Sequence, residues 1–207
     1  MQIVVKASLQ QQKAFLSKPL PDNCQVYWYS SDVLPEKADA WFDLSYEEDG
    51  PAFAGMTDNI VFANAVLSIT DTLPENYVRI NAWNGFLERP VTEIANGKHA
   101  VTVKTVMDKL GWSYTLVPDV PGMVAASVIA MIINEAYFAW GDKVSSKADI
   151  DTAMKLGTNY PLGPFEWCEK IGPVKIYQLL SILSKEDERY TPAPALTDEV
   201  AQLHTKA

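Results

Sequence analysis

Apolar residues fall in short runs through the first half of the chain and in long periodic stretches after Pro121. Residues 2–5, 25–29, 40–44, 60–64 and 78–83 are compact runs rich in β-branched and aromatic side chains, the pattern of buried strands. Residues 90–94 supply a sixth run and 114–118 a further one. Helical stretches at 9–16 and 99–110, the second ended by Gly111, lie among them. Strands alternating with helices predict an α/β sheet of mainly parallel strands. Beyond Pro121 the period changes. Residues 123–140 form one long apolar helix, and Ser146 with Asp149 caps the next, over 147–156. A short helix is expected at 165–170. Pro173 sits in the first turn of a helix carrying Val174, Ile176, Tyr177, Leu179, Leu180, Ile182 and Leu183. Residues 186–194 read as an exposed connection, 197–203 as a last short helix, and the remainder as a polar, frayed tail. The boundary falls near Asp119, giving domains 1–118 and 119–207.

The long apolar stretch, 122–141, approaches the length that spans a bilayer. Its purely apolar core, 128–133, is short, and Asn134-Glu135 would sit in lipid. A helix apolar on all sides is then a buried helix or a subunit contact. The 207 residues carry 48% hydrophobic and 21% charged side chains, an ordinary globular composition. The net charge of −9, with no clustered Lys and Arg, excludes a nucleic-acid partner. Cys24 and Cys168 are far apart and have no metal spacing, which fits a reduced, cytoplasmic chain. Residues 1–5 lack the basic and apolar regions of a signal peptide.

The densest set of backbone constraints is Gly157-Thr158-Asn159-Tyr160-Pro161-Leu162-Gly163-Pro164-Phe165-Glu166-Trp167. With Pro121-Gly122-Met123-Val124, Asn134-Glu135-Ala136 and Ala148-Asp149-Ile150-Asp151, it resembles the C-terminal helical domain of 3-hydroxyacyl-CoA dehydrogenases. The resemblance implies an α/β fold followed by an all-α one. A truncated Rossmann-like sheet would precede a helical domain that pairs two subunits and walls an acyl-CoA cleft. It also implies a nicotinamide cofactor, NAD, and a catalytic His–Glu pair.

The matching residues depart from that pattern. The family's His-Phe-Phe-Asn-Pro segment falls on Asn81-Ala82-Trp83-Asn84-Gly85, with Glu93 at the expected twelve-residue spacing. Asn81, Asn84 and Glu93 are therefore the candidate site residues, with an amide where the base belongs. An amide carries no proton at neutral pH, and losing a general base costs about 10²–10⁴ in rate. Glu93 reads as a carboxylate kept for a structural hydrogen bond, or as a replacement base if desolvated. The substrate-contacting Ser of the family falls on Ala65, and an Asn on Ala126. The turn after the first strand, Lys6-Ala7-Ser8-Leu9-Gln10-Gln11, has no glycine, and the first in the chain is Gly50. Asp32, after the second strand, stands where the family holds a ribose and reads as a turn residue. No cofactor is expected on these grounds. His99 reads as a surface or capping residue, His204 as a solvated one and Ser145-Ser146 as a helix cap. The expectation is a divergent, non-catalytic family member, a homodimer that binds an acyl-CoA or a protein partner. An active dehydrogenase with an atypical site and a pure assembly module are the alternatives.

Overall fold

The computed structural model describes residues 1–29, 34–56, 59–95 and 97–206. Asp32 and Asn96 lie outside them. Two compact units divide the chain, Met1–Met123 and Val124–Ala207.

The first unit is built on β1 (Gln2–Lys6), β2 (Gln25–Trp28), β3 (Ala40–Asp43), β4 (Val61–Asn64), β5 (Tyr77–Ile80), β6 (Val91–Ala95) and β7 (Ser113–Val117). They form one sheet in the order β2-β1-β3-β4-β5-β6-β7. Every neighbouring pair is parallel except β5 and β6, which run antiparallel. Alternate residues serve opposite faces, as the pleat requires. Ile3, Val5, Phe42, Phe62, Val78 and Ile80 join one core cluster with Phe15 of α1 (Leu9–Ser17) and Val103, Val106, Met107 and Leu110 of α3 (Ala100–Leu110). The intervening residues Val4, Trp41, Val61, Ala63 and Tyr77 join a second cluster with Phe53. The Phe15 ring anchors α1, meeting Trp28, Phe42 and Trp112 edge-on with centroids 5.1–6.3 Å away.

One short helix, α2 (Tyr46–Asp49), escaped the pattern of hydrophobic positions. Four residues are too few to show a helical period.

The second unit holds α4 (Ala125–Gly141), α5 (Lys147–Thr158), α6 (Pro164–Ile171), α7 (Pro173–Leu183) and α8 (Pro194–Lys206). Ser146 caps α5 by accepting from the Asp149 amide at 3.1 Å. Lys147 ties the unit together. Its Nζ lies 4.9, 4.3 and 5.0 Å from the ring centroids of Tyr137, Trp140 and Phe165, and pairs with Glu199 of α8 at 2.5 Å. The buried Asn134 of α4 donates to the Thr191 carbonyl at 2.9 Å and accepts from the Ala193 amide at 2.8 Å. That clamp fixes where α8 starts, three residues before the position expected from the hydrophobic period. The helix then runs to Lys206, where the sequence suggested a frayed tail. No helix among the described residues is long and apolar enough to cross a membrane.

Candidate functional site

β5 delivers Asn81 one residue past its C-terminal end, and the antiparallel β6 brings Glu93 alongside. The Asn81 amide N–H donates to the Glu93 carbonyl at 3.1 Å. The Asn81 Nδ2 donates to Glu93 Oε2 at 3.0 Å. The structure thus joins two of the three candidate residues in one hydrogen-bonded pair, with Asn81 only 2% exposed. Asn84 is half-buried in the next turn and forms no side-chain hydrogen bond among the described residues. A carboxylate only accepts, so the amide must present its NH₂ to Glu93. Asn81 Oδ1 therefore faces away. It is buried and has no hydrogen-bond partner among the described residues.

Within the first unit, Ala65 is fully buried and offers only a methyl group; in the second unit the same is true of Ala126. Asn64 is engaged at both ends, donating to the Leu44 carbonyl at 3.3 Å and accepting from the Ala82 amide at 3.1 Å. His99 sits in the left-handed region (φ 68°) at the start of α3, with Nε2 2.8 Å from the Glu75 carbonyl and no capping bond from its side chain. No cluster of potential metal ligands exists among the described residues.

Two supporting side chains were not picked out from the sequence. Glu47 of α2 accepts from the Leu67 amide at 2.8 Å and from Trp83 Nε1 at 2.7 Å, so it joins the loop after β4 to the turn after Asn81. Arg79, fully buried, donates to the carbonyls of Ala65, Val66 and Val120 and pairs with Asp119. A charge inside the otherwise apolar strand Tyr77-Val78-Arg79-Ile80 was a legible signal for it. Glu47, one acid among several in a short surface-like run, gave none.

A cleft of about 510 Å³ opens at the C-terminal ends of β1, β2 and β3, lined among others by Lys6, Ser8, Gln11, Trp28, Tyr29 and Asp49. β2 and β3 flank β1 on opposite sides, and this reversal of strand order is where open α/β sheets bind nucleotides. The turn itself is closed on its own helix. Ser8 Oγ accepts from the Gln11 amide at 3.3 Å, and Gln11 Oε1 from the Ser8 amide at 2.9 Å. Gln11 also donates to the Leu44 carbonyl at 2.6 Å, and Lys6 pairs with Asp49 at 3.0 Å. The crevice has room for a nucleotide, but Lys6 is already paired with Asp49, and Glu48 also lines it. The Cβ-bearing turn does not reproduce a glycine cradle.

Asp43, at the end of β3, is fully buried and accepts from the Ala52 amide at 2.9 Å and the Tyr77 hydroxyl at 3.3 Å. Burial pushes its carboxyl above the usual range, against the Ala52 hydrogen bond and the nearby Lys6. A raised folded value means the native state holds the extra proton. Stability is then fully present below the unfolded value, about 3.9, and falls as pH rises through the folded one. Asp43→Asn is expected to abolish that fall. Chemical denaturation from pH 3 upward should show the variant gaining on the parent as pH rises, and parallel curves would refute it.

Comparison with known proteins now bears on these features. The family profile of the 3-hydroxyacyl-CoA dehydrogenase C-terminal domain matches residues 122–206. The chain is 32% identical over 157 residues to 3-hydroxybutyryl-CoA dehydrogenase of Clostridioides difficile, covering 69% of this chain and 56% of that protein. It is 42% identical over 92 residues to 3-hydroxyadipyl-CoA dehydrogenase of Escherichia coli, covering 44% of this chain and 19% of that protein. The crystal structure of (S)-3-hydroxybutyryl-CoA dehydrogenase from Ralstonia eutropha superposes with a TM-score of 0.68 at 17% identity, over 97% of this chain and 93% of that one, which shows the fold. The chain belongs to the 3-hydroxyacyl-CoA dehydrogenase family. It spans 19% and 56% of the lengths of those two curated relatives.

These comparisons correct the expectation of no cofactor, because the homologues are NAD-dependent dehydrogenases. The physical reason for the error is that the crevice is created by the reversal of strand order. It survives the loss of the glycines on which the expectation rested.

Proposed function

We propose that this chain is a 3-hydroxyacyl-CoA dehydrogenase-like protein that binds acyl-CoA thioesters as a homodimer without ordinary dehydrogenase turnover. The observation that carries the reading is the Asn81–Glu93 hydrogen bond, an amide held where the family's general base would stand. Oxidation of a hydroxyl needs a group that accepts its proton as hydride departs. An amide nitrogen engaged as a donor cannot do so, and removing a general base costs about 10²–10⁴ in rate. NAD, the cofactor of the homologues, supplies a hydride acceptor when bound. Lys6, Ser8, Trp28 and Tyr29 line the cleft that would hold it. The dimer is supported by α4, where Val128 and Phe138 are 51% and 37% exposed on a helix of mostly apolar residues.

The test is a spectrophotometric assay of 3-hydroxybutyryl-CoA oxidation with NAD, with sedimentation of the same preparation. Turnover is expected to lie at least about 10²-fold below that of an active homologue, and the protein to sediment as a dimer. Turnover at the homologue's level that is lost in Glu93→Gln would overturn the reading and assign Glu93 as the base.

A further inference from the structure

We propose that a cleft in the first unit, where α1 ends and β6 and β7 begin, binds a small organic carboxylate through the buried ammonium of Lys18. The cleft holds about 320 Å³ and is lined among others by Lys18, Pro19, Glu88, Arg89, Pro90 and Trp112. It shares no lining residue with the crevice at the ends of β1, β2 and β3. The proposal does not depend on the acyl-CoA reading.

Local structure puts the lysine there. Phe15 anchors α1 and packs edge-on against Trp112, with centroids 5.3 Å apart. Lys18, the C-terminal cap of that helix, donates its backbone N–H to the Phe15 carbonyl at 3.3 Å. Gly111, left-handed at φ 67°, ends α3 and turns the chain into Trp112. Trp112 Nε1 then donates to the Pro19 carbonyl at 2.8 Å. The Lys18 ammonium is thereby held between two walls of the cleft. Its Nζ donates to the Arg89 carbonyl at 2.8 Å and lies 4.7 Å from the Trp112 ring centroid.

An ammonium has three N–H donors, and Lys18 makes one side-chain hydrogen bond among the described residues. A positive charge near a helix C-terminus is favourable, but an exposed lysine would supply it equally well. Lys18 is only 6% exposed, and burial of a charge demands a counter-charge. Glu88, exposed at the rim, is the acid that acts on it, and its Oε2 accepts from the Gly85 amide at 3.0 Å. Burial outweighs that help and pulls the Lys18 pKa below the usual lysine range. Arg89 adds a second positive charge, its guanidinium 5.2 Å from the Phe86 ring centroid. Two cations and one acid therefore line the cleft, an excess that selects an anion. Pro19, Pro90 and the indole of Trp112 add apolar wall, which suits a carboxylate with a short hydrocarbon tail better than a bare oxyanion.

The test is titration of the full chain with butyrate, butyramide and inorganic phosphate, read from the Trp112 indole N–H signal in a proton–nitrogen NMR spectrum. Sequential assignment identifies that signal among those of the six tryptophans. Butyrate is expected to shift it saturably. Butyramide should bind at least about tenfold more weakly, since the neutral amide forfeits the charge-assisted bond. Glu88→Gln keeps an acceptor for the Gly85 amide and removes the competing charge, so it should tighten butyrate by about two- to fivefold. Lys18→Met should abolish the shift. Equal response to butyrate and butyramide, or none, overturns the proposal, and so does a folded Lys18→Met variant that still responds. A shift by phosphate alone overturns the choice of a carboxylate. The comparison of butyrate with butyramide is made on the unaltered protein, so a Lys18→Met variant that fails to fold leaves the test decisive.

Discussion

Arg79→Met is expected to destabilise the first unit by about 3–5 kcal/mol, the magnitude of breaking a buried ion pair from one side. The guanidinium is fully buried and every one of its nitrogens is engaged. Nε donates to the Ala65 carbonyl at 2.8 Å, and Nη2 to the carbonyls of Val66 and Val120 at 3.3 and 3.2 Å. Nη1 pairs with Asp119, whose carboxylate also accepts from the Thr70 amide at 3.1 Å. Val66 receives the Gly122 amide as well, at 2.7 Å. One side chain therefore fastens the loop after β4, the turn beginning at Thr70 and the segment 118–122. Methionine nearly fills the volume, so the loss reports hydrogen bonds and charge more than a cavity. The Ala65 carbonyl would lose its donor and Asp119 its charge partner, while Val66, Val120 and Asp119 keep the amides of Gly122, Met123 and Thr70. For a chain of this size the melting temperature should fall on the order of 10 °C. Asp119→Asn, which keeps an acceptor for Thr70 and for Arg79, should fall much less. An unchanged melting temperature in Arg79→Met would refute the role.

The same residue shows what the sequence could and could not convey. The strands were legible because runs such as Gln25-Val26-Tyr27-Trp28 and Ala40-Trp41-Phe42-Asp43 have few other uses. The order of the strands, and the antiparallel turn that sets β6 beside β5, depend on contacts between distant segments that no local pattern encodes. The Asn81–Glu93 pair was legible through its twelve-residue spacing, which is the path from the end of one strand, round a turn, into the next. Its key consequence, an acceptor with no donor, emerged only from the geometry. Glu47 was invisible because its partners, Leu67 and Trp83, lie 20 and 36 residues away. The start of α8 was misplaced for the same reason. Ala193 is buried and clamped by Asn134 across 59 residues, while its own neighbours read as a proline-rich connection. The cofactor expectation failed in the opposite way. It weighted a local motif, the missing glycines, above a crevice that belongs to the topology.

Gly163→Ala is expected to destabilise the second unit by roughly 2–4 kcal/mol, through overpacking and the loss of a helix-start hydrogen bond. The sequence suggested that the glycines of the 157–167 run fix a loop conformation. At Gly163 the need is for room. Its φ of −75° and ψ of 167° suit any residue, but an added Cβ would overlap the Asp151 side chain. Asp151 cannot move away cheaply. It is buried, and its Oδ1 accepts from the Phe165 amide at 2.8 Å in the first turn of α6. On the other side of the glycine, Glu166 accepts from the Gly163 amide at 2.8 Å and from Lys155 of α5 at 2.5 Å. Moving either carboxylate loosens α6 from α5. Gly157, six residues earlier, makes the opposite case. It lies within α5, and a Cβ there meets nothing within 4 Å. Gly157→Ala should therefore stabilise by about 0.5–1 kcal/mol, the ordinary gain for alanine in a helix. Denaturant melts of both variants give the two signs directly. Asp151→Gly removes every atom that the new Cβ would meet, the Asp151 Cβ included, together with the hydrogen bond, so the double variant with Gly163→Ala should be markedly less damaged than the sum of the singles. Simple additivity would show that the glycine and the aspartate do not compete for the same space.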